Sequence, residues 1–153
     1  MTASSPRSTP SAVTWLGYGG LLPFTLLALA IYLFPQHNVF LGRALLGYGA
    51  VILSFTGALH WGFAMTLQGL SPEQKLHTYL WSVVPALVAW LALVFDSAPV
   101  GCALLVAGFL ANYWRDVCVS RVTELPSWYL PLRFRLTTVA CLCLLAFAVA
   151  SLT

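Results

Sequence analysis

Five long uncharged runs, separated by short polar segments, set the pattern of this chain. They fall at about residues 15–34, 45–67, 76–95, 99–114 and 136–153. Crossing the hydrocarbon core of a bilayer takes roughly 20 consecutive apolar residues. Each run is therefore expected to form one membrane-spanning helix. The polar segments between them carry boundary signals. Pro35, Gln36, His37 and Asn38 read as a turn, and Gln68-Gly69 ends the second helix. Ser71-Pro72-Glu73-Gln74 has the form of a capping box: Ser71 at the N-cap, proline in the first turn and Gln74 reaching back. Asp96 and Ser97 make a tight turn that can cap the fourth helix. Arg115 and Asp116 are expected just beyond the fourth helix as an interfacial pair, and Arg133 and Arg135 just before the fifth. Trp15, Tyr18, Tyr32, Trp128 and Tyr129 fall where an aromatic belt belongs. Pro23 and Pro85 lie within spans and predict kinks.

Composition strengthens this picture. The chain of 153 residues is 60% hydrophobic and only 7% charged, with a mean hydropathy of +0.88. A soluble domain is about 25% charged. A surface this poor in charge uses lipid as its solvent, and no length is left for a separate soluble domain. The expected organisation is an all-α bundle of five transmembrane helices over residues 15–153, preceded by a flexible tail over residues 1–14. The run after the tail has neither a charged leader nor a small-residue cleavage site, so it reads as a retained span.

The placement of charge predicts orientation. Alternating spans put Arg7, Lys75, Arg115, Arg121, Arg133 and Arg135 on one side and only Arg43 on the other. Lys and Arg collect on the cytoplasmic face. The N-terminus is expected inside and the C-terminus outside. The tail lacks a clear transit peptide, which favours a bacterial cytoplasmic membrane; in a eukaryote the equivalent place is the mitochondrial inner membrane.

Small residues suggest how the helices pack. Ala50, Ser54, Ala58 and Gly62 recur every four residues in the second span, and Ala103, Ala107 and Ala111 do the same in the fourth. Such rows let membrane helices approach closely. The second helix is accordingly expected to be the hub, with the fourth against it.

Candidate chemistry gathers at one membrane face. His60 and Trp61 lie toward the inner end of the second helix, Trp81 and Ser82 near the inner start of the third, Asn112, Tyr113, Arg115 and Asp116 at the inner end of the fourth, and Arg133, Arg135, Thr137 and Thr138 at the inner start of the fifth. Polar groups in a membrane face protein or a cavity. They either fix helix register or line a pocket made by His60, Trp61, Trp81, Asn112 and Asp116. No catalytic motif and no metal spacing occurs: GxSxG, HExxH and a phosphate loop are all missing. Haem would need axial ligands such as His60 and His77, and His77 falls at a wet helix start. No cofactor is expected. The four cysteines read as small apolar packing residues. No basic cluster interleaved with aromatics points to nucleic acid. The expected surroundings are the lipid bilayer, with a membrane-protein partner, a second copy or a small hydrophobic ligand.

Several stretches carry a family resemblance. They are Trp15-Leu16-Gly17 through Leu22-Pro23-Phe24, Tyr48-Gly49-Ala50 with Ile52-Leu53-Ser54-Phe55 and His60-Trp61-Gly62, Trp81-Ser82-Val83-Val84-Pro85 with Ala89-Trp90, and Trp128-Tyr129 with Leu132-Arg133 and Leu136-Thr137. In these the chain resembles the bacterial and mitochondrial family called domain of unknown function 3429, the transmembrane protein 69-like proteins. The resemblance implies a five-helix integral membrane protein and no particular activity. The tryptophan-rich translocator-protein class is similar in size and composition alone, since its tryptophan followed by paired prolines is missing here. The functional expectation is a non-enzymatic packing or assembly partner in a membrane complex. The alternatives are a binding module for a lipid-, quinone- or porphyrin-type ligand around His60 and Trp61, and a small transporter or redox protein.

Overall fold

A computed structural model of the chain describes residues 10–95 and 97–152. Among them the secondary structure is entirely helical: α1 (Ser11–Gly19), α2 (Leu22–Leu33), a single 3-10 turn at Pro35–His37, α3 (Asn38–Thr66), α4 (Pro72–Val94), α5 (Ala98–Ser120) and α6 (Tyr129–Ala150). Five helical stretches are long and apolar enough to cross a membrane, the first of them made of α1 and α2 together. The all-α, five-span reading is thus correct.

The ends of the helices follow local chemistry. The first span breaks at Gly20-Leu21 and restarts with Pro23 near the head of α2. Proline has no N–H to give the carbonyl one turn back, so the helix cannot run straight through. The Tyr48 hydroxyl on α3 donates to the Gly20 carbonyl at the break, at 2.8 Å. The expected capping box is present at the head of α4. The Gln74 N–H donates to Ser71 Oγ at 3.2 Å, and the Ser71 N–H donates to Gln74 Oε1 at 2.8 Å. Ser97 precedes α5 without a side-chain capping bond, and Asp96 lies outside the described residues.

Several boundaries differ from those expected. Helix α1 already starts at Ser11, inside the stretch read as tail; the rest of that tail, residues 1–9, lies outside the described residues. Helix α3 begins at Asn38 and contains Arg43, so the polar turn is only one 3-10 turn long. Helix α5 continues through Arg115 and Asp116 to Ser120, and α6 starts ahead of Arg133 and Arg135. Charged residues that an apolar-run reading places outside the helices are thus inside them. The buried ion pair described below accounts for Asp116 and Arg133.

Helix α3 is the shared element: it packs most extensively on α4, then on α2 and α5, and touches α6. Its buried face is Gly42, Leu45, Leu46, Gly49, Ala50, Leu53, Thr56, Gly57, His60 and Ala64. Three glycines set the closest approaches, and Gly42 lies directly against the Phe147 ring of α6. A Cβ on Gly57 would stand 2.6 Å from the Pro85 ring of α4, and one on Gly108 of α5 would stand 2.5 Å from Leu53. Phe24, Leu45, Leu53, Leu105 and Leu144 complete the fully buried apolar core. Between helices in lipid such packing works through van der Waals contact rather than water exclusion.

The proposed small-residue rows are not that face. Ala50 is buried and Ser54 half-buried, but Ala58 and Gly62 are exposed; Ala103 and Ala107 are exposed and Ala111 half-buried. An α-helix advances about 100° per residue, so each step of four overshoots a full circle by about 40°. Three such steps swing a row from the core to the outside. The faces actually used mix steps of three and four, as in Leu53, Gly57, His60, Ala64 on α3 and Gly101, Leu105, Gly108, Asn112, Asp116 on α5.

A buried polar cluster as candidate functional site

Polar side chains meet inside the bundle at the end where α3 and α5 finish and α4 and α6 begin. Each comes from the buried face of its helix. His60 lies one turn beyond Thr56 on α3, Asp116 one turn beyond Asn112 on α5, and Tyr129, Arg133 and Thr137 follow at intervals of four on α6. His60, Asn112 and Asp116 are fully buried, and Thr56, Arg133 and Thr137 are nearly so.

Asp116 is the centre. Arg133 Nε donates to its Oδ2 at 2.8 Å, and the Tyr129 hydroxyl donates to its Oδ1 at 3.1 Å. His60 Nε2 stands 3.4 Å from the same Oδ1, while Nδ1 stands 3.3 Å from the Gly57 carbonyl. An N–H on either ring nitrogen therefore has an acceptor close by. A second chain of bonds runs beside this one. Trp81 Nε1 donates to Asn112 Oδ1 at 3.1 Å, and Asn112 Nδ2 donates to Thr56 Oγ1 at 3.3 Å. The Thr56 hydroxyl in turn donates to the Leu53 carbonyl at 3.1 Å. Together these bonds tie α3, α4, α5 and α6 at one level.

Not every donor is used. Arg133 Nη2 and Thr137 Oγ1 are buried and have no hydrogen-bond partner. Arg133 and Thr137 also line an almost wholly apolar cavity of about 120 Å³, with Gly20, Phe24, Thr56 and Phe109 among its other walls, but their two unpaired polar atoms have essentially no surface open to it. Leu16 and Phe55 also line it, and both are exposed on the outer surface of the bundle. The cavity therefore opens sideways, toward the lipid, between the first span and α3. Leaving a polar atom buried without a partner is costly, so Arg133 Nη2 and Thr137 Oγ1 weaken the bundle locally where the apolar core is otherwise well packed.

Of the residues picked from the sequence, His60, Asn112 and Asp116 come together and Trp81 joins them through Asn112. Trp61 does not. It is 52% exposed and packs edge-on against Tyr79 on the outside of the bundle, with ring centroids 5.1 Å apart. Its neighbour His60 points inward because successive helical residues diverge by about 100°. Sequence reasoning missed Thr56 and Tyr129, and it left Arg133 and Thr137 at this membrane face without assigning them to the pocket. The four-residue spacing of the last three was the available signal. Among the described residues no three His, Cys, Asp or Glu side chains are grouped to hold a metal ion. The cysteines are all free, with Cys102 and Cys141 in the apolar core.

No solved structure matches this chain. Among curated proteins, it is 34% identical over 140 residues to transmembrane protein 69 of Xenopus tropicalis, covering 88% of this chain and 52% of that protein. It is 27% identical over 134 residues to transmembrane protein 69 of Mus musculus, covering 86% of this chain and 53% of that protein. The chain thus spans about half the length of the curated relatives it matches. The profile of the family described as "Protein of unknown function (DUF3429)" matches residues 9–149, and the chain belongs to that family of membrane proteins.

Proposed function

We propose that this protein is a non-enzymatic binder of a small hydrophobic ligand, which enters from the bilayer into the cavity beside Arg133 and Thr137. The observation that carries this reading is an almost wholly apolar cavity, open to lipid, beside the buried Asp116–Arg133 pair. An ionisable residue inside a membrane bundle is a functional candidate by default. The pocket differs from the one expected from the sequence: it borders the ion network on the Arg133 side and does not include Trp61. Its volume is below the roughly 150 Å³ of an engineered cavity that holds benzene. A porphyrin is therefore too large to be enclosed, and only a group smaller than a ring is covered in full. Native mass spectrometry of protein released gently from its own membrane tests the reading. A constant small added mass is expected, and Ala140→Leu, which fills the cavity wall, should abolish it. A stable second polypeptide with no small molecule would replace the reading with an assembly role in a membrane complex.

The orientation proposed with this function is N-terminus inside, in a bacterial cytoplasmic or mitochondrial inner membrane. It rests on Lys75 and Arg121 flanking the loops at the cluster's end, with Arg43 toward the other. In a cysteine-free background, an impermeant maleimide added from outside should label Gln36→Cys and leave Glu124→Cys unlabelled. The reverse pattern would invert the topology.

A further inference from the structure

We infer that a recess between α4 and α5 holds the phosphate of an anionic phospholipid headgroup, with Arg115 as its principal ligand. The recess lies apart from the apolar cavity, and the inference does not depend on what that cavity binds.

The charges inside the bundle single out Arg115. Asp116, its neighbour on α5, is neutralised by Arg133. Arg115 has no such counter-ion: among the described residues it makes no hydrogen bond and no ion pair. Yet it is half-buried and sits well within α5, about 8 Å before the last residue, Ser120, at 1.5 Å per residue. Its Nε is enclosed, and its two Nη groups, which are also unbonded, are not enclosed with it. A cation held at this depth in a membrane bundle calls for an opposite charge.

The recess has a volume of about 160 Å³, and Arg115 shares it with Gln74 and Thr78 of α4. Its polar groups are donors. A guanidinium carries only N–H bonds. The Gln74 side-chain oxygen is taken by the Ser71 N–H, which leaves the amide NH2 over. The Thr78 hydroxyl is spent on the Gln74 carbonyl at 2.7 Å. No carboxylate lines the space. A phosphate, with several strong acceptor oxygens, suits a guanidinium edge, which can reach two of them at once.

Depth and charge identify the source. Basic pockets between membrane helices near the bilayer surface take acidic lipid headgroups. Leu70, Cys118 and Val119 give the recess an apolar wall for the glycerol and the first methylenes. Once Asp116 and Arg133 have cancelled, Lys75, Arg115, Arg121 and Arg135 at this end of the bundle face only Glu73 and Glu124. That surplus favours a lipid with a net negative charge over a zwitterionic one.

The test is native mass spectrometry of the full chain in dodecyl maltoside, a detergent without phosphate. Dioleoylphosphatidylglycerol, dioleoylphosphatidylcholine, dioleoylglycerol and inorganic phosphate are added in turn. One phosphatidylglycerol per chain should be retained, more tightly than phosphatidylcholine and at least about tenfold more tightly than dioleoylglycerol, the scale of one charge-assisted hydrogen bond. Arg115→Gln should remove that advantage, and Arg115→Lys, which keeps the charge but not the fork, should retain part of it. Neither should lower the melting temperature in lipid-free detergent, since Arg115 has no partner within the protein to lose. Cys118→Phe, which fills the recess and keeps Arg115, should weaken phosphatidylglycerol as well. Arg135→Gln and Ala140→Leu should leave its binding unchanged. Equal retention of dioleoylglycerol and phosphatidylglycerol would overturn the phosphate. Phosphatidylcholine held as tightly as phosphatidylglycerol would overturn the requirement for an anionic lipid. Equal losses in Arg115→Gln and Arg135→Gln would replace the site with diffuse surface charge. Displacement of the lipid by millimolar inorganic phosphate would overturn the lipid and make a soluble anion the occupant.

Discussion

Asp116 on α5 and Arg133 on α6 form an ion pair with Oδ2 and Nε 2.8 Å apart, and the carboxylate has no exposed surface. The pair joins two helices that follow one another in the chain, across the loop that separates them. Both residues lie inside helices that an apolar-run reading ends too soon, for α5, or starts too late, for α6. Their charges cancel across the helix interface, so neither has to leave the bundle.

Breaking one half of this pair should cost much more than removing both. Arg133→Leu strands a buried carboxylate with only Tyr129 and His60 beside it, and a loss of about 3 kcal/mol or more is expected from measured single removals of buried partners. Asp116→Leu combined with Arg133→Met leaves no unpaired charge and should recover most of that loss. Thermal unfolding in detergent of the two single variants and the double variant decides the point. A double variant as unstable as the sum of the singles would show that the two residues do not act as a pair.

Close packing is expected to be most sensitive at Gly57. An added side chain there meets the Pro85 ring, which is held rigidly within α4 and cannot swing away. Gly57→Leu should destabilise by at least the roughly 1–3 kcal/mol typical of overpacking. Ala58→Leu and Gly62→Leu place their bulk on the exposed surface, where nothing lies within reach of Gly62. They should leave the melting temperature within a degree or two of the parent, the shift that follows from surface changes below about 0.5 kcal/mol. A large loss in Ala58→Leu would return the packing face to the four-residue row.

These contrasts show what was legible in the sequence. The number and place of the spans could be read from uncharged runs, because crossing lipid requires them. The capping box at Ser71 could be read because it is a local bond between residues three apart. The phase of the packing face could not be read from one small-residue row, since its spacing drifts around the helix. The pairing of Asp116 with Arg133 could not be read either, because it depends on how α5 and α6 rotate against each other. His60 and Trp61 make the same lesson concrete. They are adjacent in sequence, yet one is buried against Asp116 and the other faces outward beside Tyr79.

The capping box gives a prediction that isolates local helix chemistry. Ser71→Ala removes the acceptor for the Gln74 N–H and should cost about 0.5–2 kcal/mol. Ser71→Thr keeps the acceptor and should cost less. Hydrogen exchange at residues 73–75 is the direct readout, with faster exchange expected in the alanine variant alone. Equal protection in both would mean that the end of α4 is held by its neighbours and not by the cap.

The Asn112 amide separates a bridging role from a single bond. It receives Trp81 Nε1–H and donates to Thr56, linking α4, α5 and α3. Trp81→Phe removes one donor at the edge of the network and leaves Asn112 bonded to Thr56. Hydrogen bonds between membrane helices average about 0.6 kcal/mol, because the separated helices find other partners, and a loss of that size is expected. Asn112→Ala removes both links at once, opens a void among buried side chains and leaves the Trp81 N–H without its acceptor. Its cost should exceed that of Trp81→Phe several-fold, and the Trp81→Phe, Asn112→Ala double variant should be little worse than Asn112→Ala alone. Unfolding measurements on these three proteins test this. Additive losses would mean that Trp81 stabilises the bundle by packing, with its hydrogen bond to Asn112 contributing nothing measurable.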